Sequence, residues 1–194
     1  MQAILLDRDG VINRERADYV KSWQEFEFLP GVLPALQRLA TLAIPLVVIT
    51  NQSGIGRGII EPMVVTEIHE RLRVVVALAG GRIDGFLICP HHPDANCACR
   101  KPQPGLLFQA AHTFTFSLAE AVFIGDAITD YKAACAAGCQ SILVRSGRQG
   151  ATLDRFFMDA VLPPPIVADL GSAVDLLFAR PKVQALAHRL TAVG

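Results

Sequence analysis

Six short apolar runs punctuate the chain: "AILLD" (3–7), "IPLVVIT" (44–50), "FLIC" (86–89), "AVFIGD" (121–126), "SILV" (141–144) and "PIVAD" (165–169). They are rich in β-branched and aliphatic residues and apolar on both alternating faces, the pattern of strands buried on both sides of a parallel sheet. Between them lie helical patterns. "GVLPALQRLATLA" (31–43) reads as one helix and "EPMVVTEIHERLRVVVALAGG" (61–81) as another. In the second, Val64, Ile68, Leu72, Val75 and Ala79 predict one apolar stripe, Pro62 suits a first helical turn and the paired glycines mark the end. A further helix is expected from about Pro104, and one over 130–137 stopped by Gly138. His69 and His112 fall on predicted helices and read as packing or surface residues.

Strand and helix in strict alternation predict an α/β fold, a doubly wound Rossmann-like parallel sheet whose right-handed crossovers leave ligand sites at the carboxyl ends of the strands. Asp7, Thr50 and Asp126 each close an apolar run, so the polar chemistry is expected along one edge of the sheet. Residues 1–179 are expected to form one domain. The tail 180–194 carries Val183, Leu186, Ala187 and Leu190 at helical spacing and is expected to be a short helix.

Composition narrows the function. Eighteen basic residues balance eighteen acidic ones. No overall field draws the protein to nucleic acid or to an anionic membrane, and an anion must be gripped locally. No run approaches the roughly 20 apolar residues of a spanning helix, and a cytoplasmic, monomeric protein is expected. Cys89, Cys97 and Cys99 cluster, whereas Cys135 and Cys139 stand apart as small buried residues, unlike the scatter of a secreted disulfide scaffold.

The chemistry concentrates in four segments: "DRDG" (7–10), "TNQSG" (50–54), "CRKP" (99–102) and "GDAITD" (125–130). Carboxylates crowded at neighbouring strand ends repel one another unless a cation joins them, and hard oxygen ligands of this kind suit Mg²⁺. Within "CPHHPDANCAC" (89–99), Cys89, His91, Cys97 and Cys99 follow a C-x-H-x5-C-x-C spacing. Three thiolates and an imidazole predict a closed, structural zinc site that also delivers Arg100 and Lys101 towards the strand ends. His92 competes with His91 as the fourth ligand.

In this order the four segments resemble the haloacid dehalogenase (HAD) superfamily of phosphotransferases, and within it the branch acting on heptose bisphosphates and histidinol phosphate. The resemblance spans about residues 3–178. It implies a HAD-like fold. No large insertion fits between Gly10 and Thr50 or between Thr50 and Cys89, so no or minimal cap and an open cleft are expected, and Trp23, Phe26 and Phe28, with no basic cluster beside them, read as anchors of a flap to the core. The resemblance also implies that Asp7 is the nucleophile, forming an aspartyl-phosphate, that Asp9 is the acid and base, and that Thr50 and Lys101 offset charge in the transition state. The Mg²⁺ ligands would be the carboxylates of Asp7 and Asp126 and the backbone carbonyl of Asp9, with Asp130 orienting metal-bound water or capping the next helix. The family pattern favours His91 over His92 for zinc.

Asn51, Arg57 and Arg100 are candidates for holding the substrate, the two arginines suiting forked contacts on a second phosphate or a sugar. The expected substrate is a small phosphorylated sugar, with loss of the 7-phosphate of D-glycero-D-manno-heptose 1,7-bisphosphate, a step towards the inner sugars of lipopolysaccharide. Ser53 and His92 favour the heptose branch over histidinol phosphate. A phospho-ligand binding module without catalysis is the alternative of another class, and the complete acidic set argues against it. One departure from the family is Ala127, where many members carry a lysine.

Overall fold

The computed structural model describes residues 1–181, so the expected tail helix lies outside the described residues. Six parallel strands form one sheet: β1 (Ala3–Leu6), β2 (Leu46–Asn51), β3 (Gly85–Cys89), β4 (Ala121–Gly125), β5 (Gln140–Val144) and β6 (Ile166–Val167). Their order is β3-β2-β1-β4-β5-β6, with every neighbouring pair parallel. The chain winds outwards from β1 to β3, returns to the other side of β1 and winds out again from β4 to β6. The point of reversal lies between β1 and β4, where the crevice of such a sheet opens.

Among the described residues six α-helices accompany the strands: α1 (Val32–Ala40), α2 (Ser53–Gly56), α3 (Pro62–Leu78), α4 (Gly105–Phe114), α5 (Ile128–Ala136) and α6 (Leu170–Phe178). Alternation along each strand divides them between two faces. Ile4 and Leu6 of β1 pack with Leu36 of α1, Ile68 and Leu72 of α3 and Val174 of α6. Ala3 and Leu5 face the other way, with Leu107 of α4 and Ala134 of α5. The predicted strands and principal helices are present with shifted ends. The exception is the last strand, reduced to two residues and followed by α6, whose start is fixed by Asp169 accepting from the Ser172 N–H at 2.8 Å.

The buried stripe of α3 is rotated from the predicted one. Val65, Ile68, His69, Leu72 and Val76 face inward, while Val64 and Val75 are only half-buried. His69 is therefore a core residue, 3% exposed. Between β1 and α1 the chain forms a compact flap in place of a cap domain. Trp23 stacks on Phe26 at 5.1 Å and Phe26 meets Phe28 edge-on at 5.2 Å, so these rings tie the flap to the core as expected.

Candidate active site

Parity along β1 decides where its polar continuation points. Asp7 shares the parity of Leu5 and turns towards the face of α4, whereas Arg8 shares that of Leu6 and turns towards α3. Asp7 reaches Lys101, whose Nζ lies 2.8 Å from Asp7 Oδ2 and 2.7 Å from Asp130 Oδ1. The same ammonium donates to the carbonyl of Ile49 at 3.1 Å and is 3% exposed. Lys101 itself is clamped by Asn51, whose Nδ2 donates to the Lys101 carbonyl and whose Oδ1 accepts from the Lys101 N–H, both at 3.1 Å.

Asp126 leaves the end of β4 beside Asp7. The turn into α5 is closed by Asp130, whose Oδ2 accepts from the N–H groups of Asp126 and Ala127 at 3.1 and 3.0 Å. Two backbone segments press against Asp126 because they carry glycine. A Cβ on Gly147 would stand 1.7 Å from Asp126 Oδ2, and one on Gly10, which also holds φ at +84°, would stand 2.5 Å away. Ser146 secures this contact by donating to the Gly10 carbonyl at 2.7 Å.

Oxygens of Asp7, Asp126 and Asp130 lie within 4.8 Å of one another, all three residues being buried. Burial lifts the Asp7 carboxyl to about 7, and Asp130 and Asp9 add to the rise against the pull of Lys101. Burial, with Asp130 and Asp7 nearby, also raises Asp126 well above the ordinary range. Crowded, desolvated carboxylates of this kind fit a hard divalent cation. Asp130 pairs with Lys101 through Oδ1 and accepts two backbone N–H groups through Oδ2, and Asp7 is held in a similar way, its Oδ1 accepting from the Arg8 N–H at 2.7 Å and its Oδ2 pairing with Lys101.

Asp9 is held differently. Arg8 Nη2 donates to both of its oxygens at 2.9 Å, Asn13 Nδ2 donates at 2.9 Å and Gln52 Nε2 at 2.8 Å. These donors, Arg8 foremost, outweigh burial and hold Asp9 below its ordinary value. Gln52 also donates to Thr50 Oγ1 at 2.9 Å, leaving the threonine its own proton to give.

The cleft over these residues measures about 430 Å³ and is also lined by Asn51, Arg57 and Arg100. Arg100 Nη1 is buried without a hydrogen-bond partner, an orphan donor that an anion would satisfy. Arg148, paired with Glu15 across the mouth, lines the cleft as well. Its charge feels Asp126 and Asp9, which help to raise its pKa behind the Glu15 hydrogen bond. Sequence reading missed Arg148, Gln52 and Asn13. Gln52 was within reach, being inside a recognised motif, but Arg148 sits in a loop with no pattern of its own.

Cys89, His91, Cys97 and Cys99 converge, with one donor atom from each within 4.8 Å of the others. Cys97 Sγ lies 3.5 Å from both other sulfurs, and His91 Nδ1 lies 3.2 Å from Cys99 Sγ. Four soft donors so placed fit a closed tetrahedral ion. His92 is outside the group, its Nδ1 accepting from the Asp94 N–H at 3.3 Å.

The cleft lined by the buried carboxylates opens at the switch point of the β3-β2-β1-β4-β5-β6 sheet. The HAD-hydrolase-like family model matches residues 98–173. The D-glycero-beta-D-manno-heptose-1,7-bisphosphate 7-phosphatase of Pseudomonas aeruginosa is 40% identical over 90% of this chain and 96% of its own length. The chain belongs to the haloacid dehalogenase-like hydrolases, and within them to the phosphatases. The D-glycero-alpha-D-manno-heptose-1,7-bisphosphate 7-phosphatase of Mycobacterium tuberculosis is 41% identical over 79% of this chain and 85% of its own. Among solved structures, the D,D-heptose 1,7-bisphosphate phosphatase from B. bronchiseptica, complexed with magnesium and phosphate, superposes with a TM-score of 0.84 at 38% identity, covering 92% of this chain and 98% of that one.

Proposed function

We propose that the protein removes the 7-phosphate of a D-glycero-D-manno-heptose 1,7-bisphosphate, with Asp7 as nucleophile. The observation that carries this is the Asp7 carboxylate, buried at the switch point, paired at 2.8 Å with Lys101 and next to Asp126 at the floor of a cleft lined by arginines. The names of relatives at about 40% identity over most of both chains supply the substrate.

An oxygen of Asp7 attacks phosphorus as the bond to the sugar C7 oxygen breaks, and Asp9 gives its proton to the departing alkoxide. Asp9 then takes a proton from the water that attacks the aspartyl-phosphate, which releases phosphate and restores Asp7. Arg8, Asn13 and Gln52 hold the Asp9 pKa below its ordinary value. A phosphate dianion arriving beside it pushes its pKa upward, the direction an acid requires. Lys101 and the Thr50 hydroxyl stabilise the charge spread over the phosphoryl oxygens.

Mg²⁺ would be held by the carboxylates of Asp7 and Asp126 and the carbonyl of Asp9, neutralising the repulsion between nucleophile and phosphate. Zinc would be held by Cys89, His91, Cys97 and Cys99, fixing the segment that ends in Arg100 and Lys101. Arg100, Arg57 and Arg148 supply cations for the second phosphate, and Arg148 offsets the charge missing at Ala127. Asn51 serves the substrate indirectly, through its clamp on Lys101.

The test compares phosphate release from heptose 1,7-bisphosphate and histidinol phosphate, with Mg²⁺ and with a chelator. Mg²⁺-dependent preference for the heptose is the expected result. Preference for histidinol phosphate would overturn the substrate assignment, and turnover by Asp7→Asn would overturn the nucleophile.

A further inference from the structure

Arg8 is 1% exposed, and the mechanism above gives it no step. Its Nη2 holds both oxygens of Asp9 at 2.9 Å. Its Nη1 lies 3.2 Å from Nε2 of His69 on α3. A guanidinium only donates, so Nε2 must be the acceptor and the ring proton must reside on Nδ1. The ring is 3% exposed and stacks on Phe86 of β3 with 4.4 Å between centroids and an 8° interplanar angle. Its position and plane are therefore set by the core.

We propose that His69 is a positioning residue for the phosphatase reaction: by accepting from Arg8 it fixes the guanidinium that holds the Asp9 carboxylate ready to exchange its proton with leaving group and water. This rests on the reading of Asp9 as the acid and base. The ring suits the task because it is a neutral acceptor. A carboxylate in its place would compete with Asp9 for the guanidinium charge, and an aliphatic side chain would leave Nη1 buried without a partner, free to draw Arg8 away from Asp9. Burial, reinforced by the nearby Arg8 charge, keeps the ring neutral in the working range.

The test uses kcat/KM, which reports steps only as far as formation of the phosphoenzyme and departure of the first product. A displaced acid harms a poor alkoxide leaving group and spares a good one such as 4-nitrophenolate. The ratio of kcat/KM for heptose 1,7-bisphosphate to that for 4-nitrophenyl phosphate is measured in wild type, His69→Leu and His69→Gln, with Asp9→Asn as reference. His69→Leu should lower the ratio about tenfold or more, and His69→Gln, which retains an acceptor, should restore most of it. An unchanged ratio in folded His69→Leu, or equal loss in the glutamine variant, would overturn the proposal.

If His69→Leu does not fold, Arg8→Lys, too short to span Asp9 and His69 together, must show the same selective fall, and an unchanged ratio there would equally overturn it. Wild-type protein inert towards the heptose would fail the substrate reading alone. The ratio would then be taken with glycerol 3-phosphate, another primary alkyl ester, and judged by the same outcomes.

Discussion

Lys101 lies between two buried carboxylates, Asp7 at 2.8 Å and Asp130 at 2.7 Å, and the raised pKa of its ammonium follows from that pairing overcoming burial. Removing one partner of a buried ion pair strands the others. Lys101→Met should therefore cost about 3–5 kcal/mol in urea unfolding of the metal-free protein. If Lys101 stabilises the phosphoryl charge as proposed, the variant should also lower kcat by about 100-fold or more. His69 gives a pH signature. Burial holds its imidazole down to about 3, with Arg8 acting in the same direction, against 6.5 in the unfolded chain. Between those values the unfolded state binds the extra proton, so this contribution is complete above pH 6.5 and shrinks as pH falls. Subtracting urea stabilities of His69→Gln from those of wild type across pH 4–8 should expose that slope, and a flat difference would contradict it.

At the scale of elements, the cysteine–histidine loop and the 145–150 turn each bring backbone to the reaction centre. The loop's last donor residue, Cys99, is two residues from Lys101, and a Cβ on Gly56 of α2 would meet the backbone N of His92 at 2.2 Å. Loosening the loop therefore disturbs both Lys101 and the segment bearing Arg57. Cys97→Ser should abolish bound zinc, lower the thermal midpoint and reduce kcat and substrate affinity together, as read by metal analysis, melting and steady-state kinetics. In the turn, Gly147→Ala inserts a methyl 1.7 Å from Asp126 Oδ2, which forces the turn or the carboxylate to move. Activity should fall at least about tenfold and need more Mg²⁺ to saturate, with far-ultraviolet circular dichroism unchanged; wild-type Mg²⁺ dependence would contradict the close approach.

These two segments also mark where sequence reading succeeded and where it failed. The metal-type spacing was legible because it needs only local order, and the loop's fold follows from it. The turn was not, because its role depends on which strand lies beside β1. The stripe of α3 was misread by rotation: valines occupy so many positions that periodicity alone does not choose a face, and the buried His69 is polar by type yet inward by contact with Arg8.

For the molecule as a whole, alternating runs were enough to indicate a parallel sheet, but not the order β3-β2-β1-β4-β5-β6, which requires knowing that the chain reverses at β1. That reversal places Asp7 and Asp126 side by side although 119 positions separate them in the chain. The strand-end carboxylates were legible because each terminates an apolar run. The donors that hold Asp9, and the pairing of Glu15 with Arg148 across the mouth, arise only when distant loops meet. The central claim is that this convergence hydrolyses one particular ester through Asp7. Following heptose 1,7-bisphosphate by ³¹P NMR with Mg²⁺ and either wild type or Asp7→Asn tests it most directly. The account predicts loss of the C7 phosphomonoester signal with the C1 phosphate retained, and no change with the variant. Loss of the C1 phosphate first, or turnover by Asp7→Asn, would contradict it.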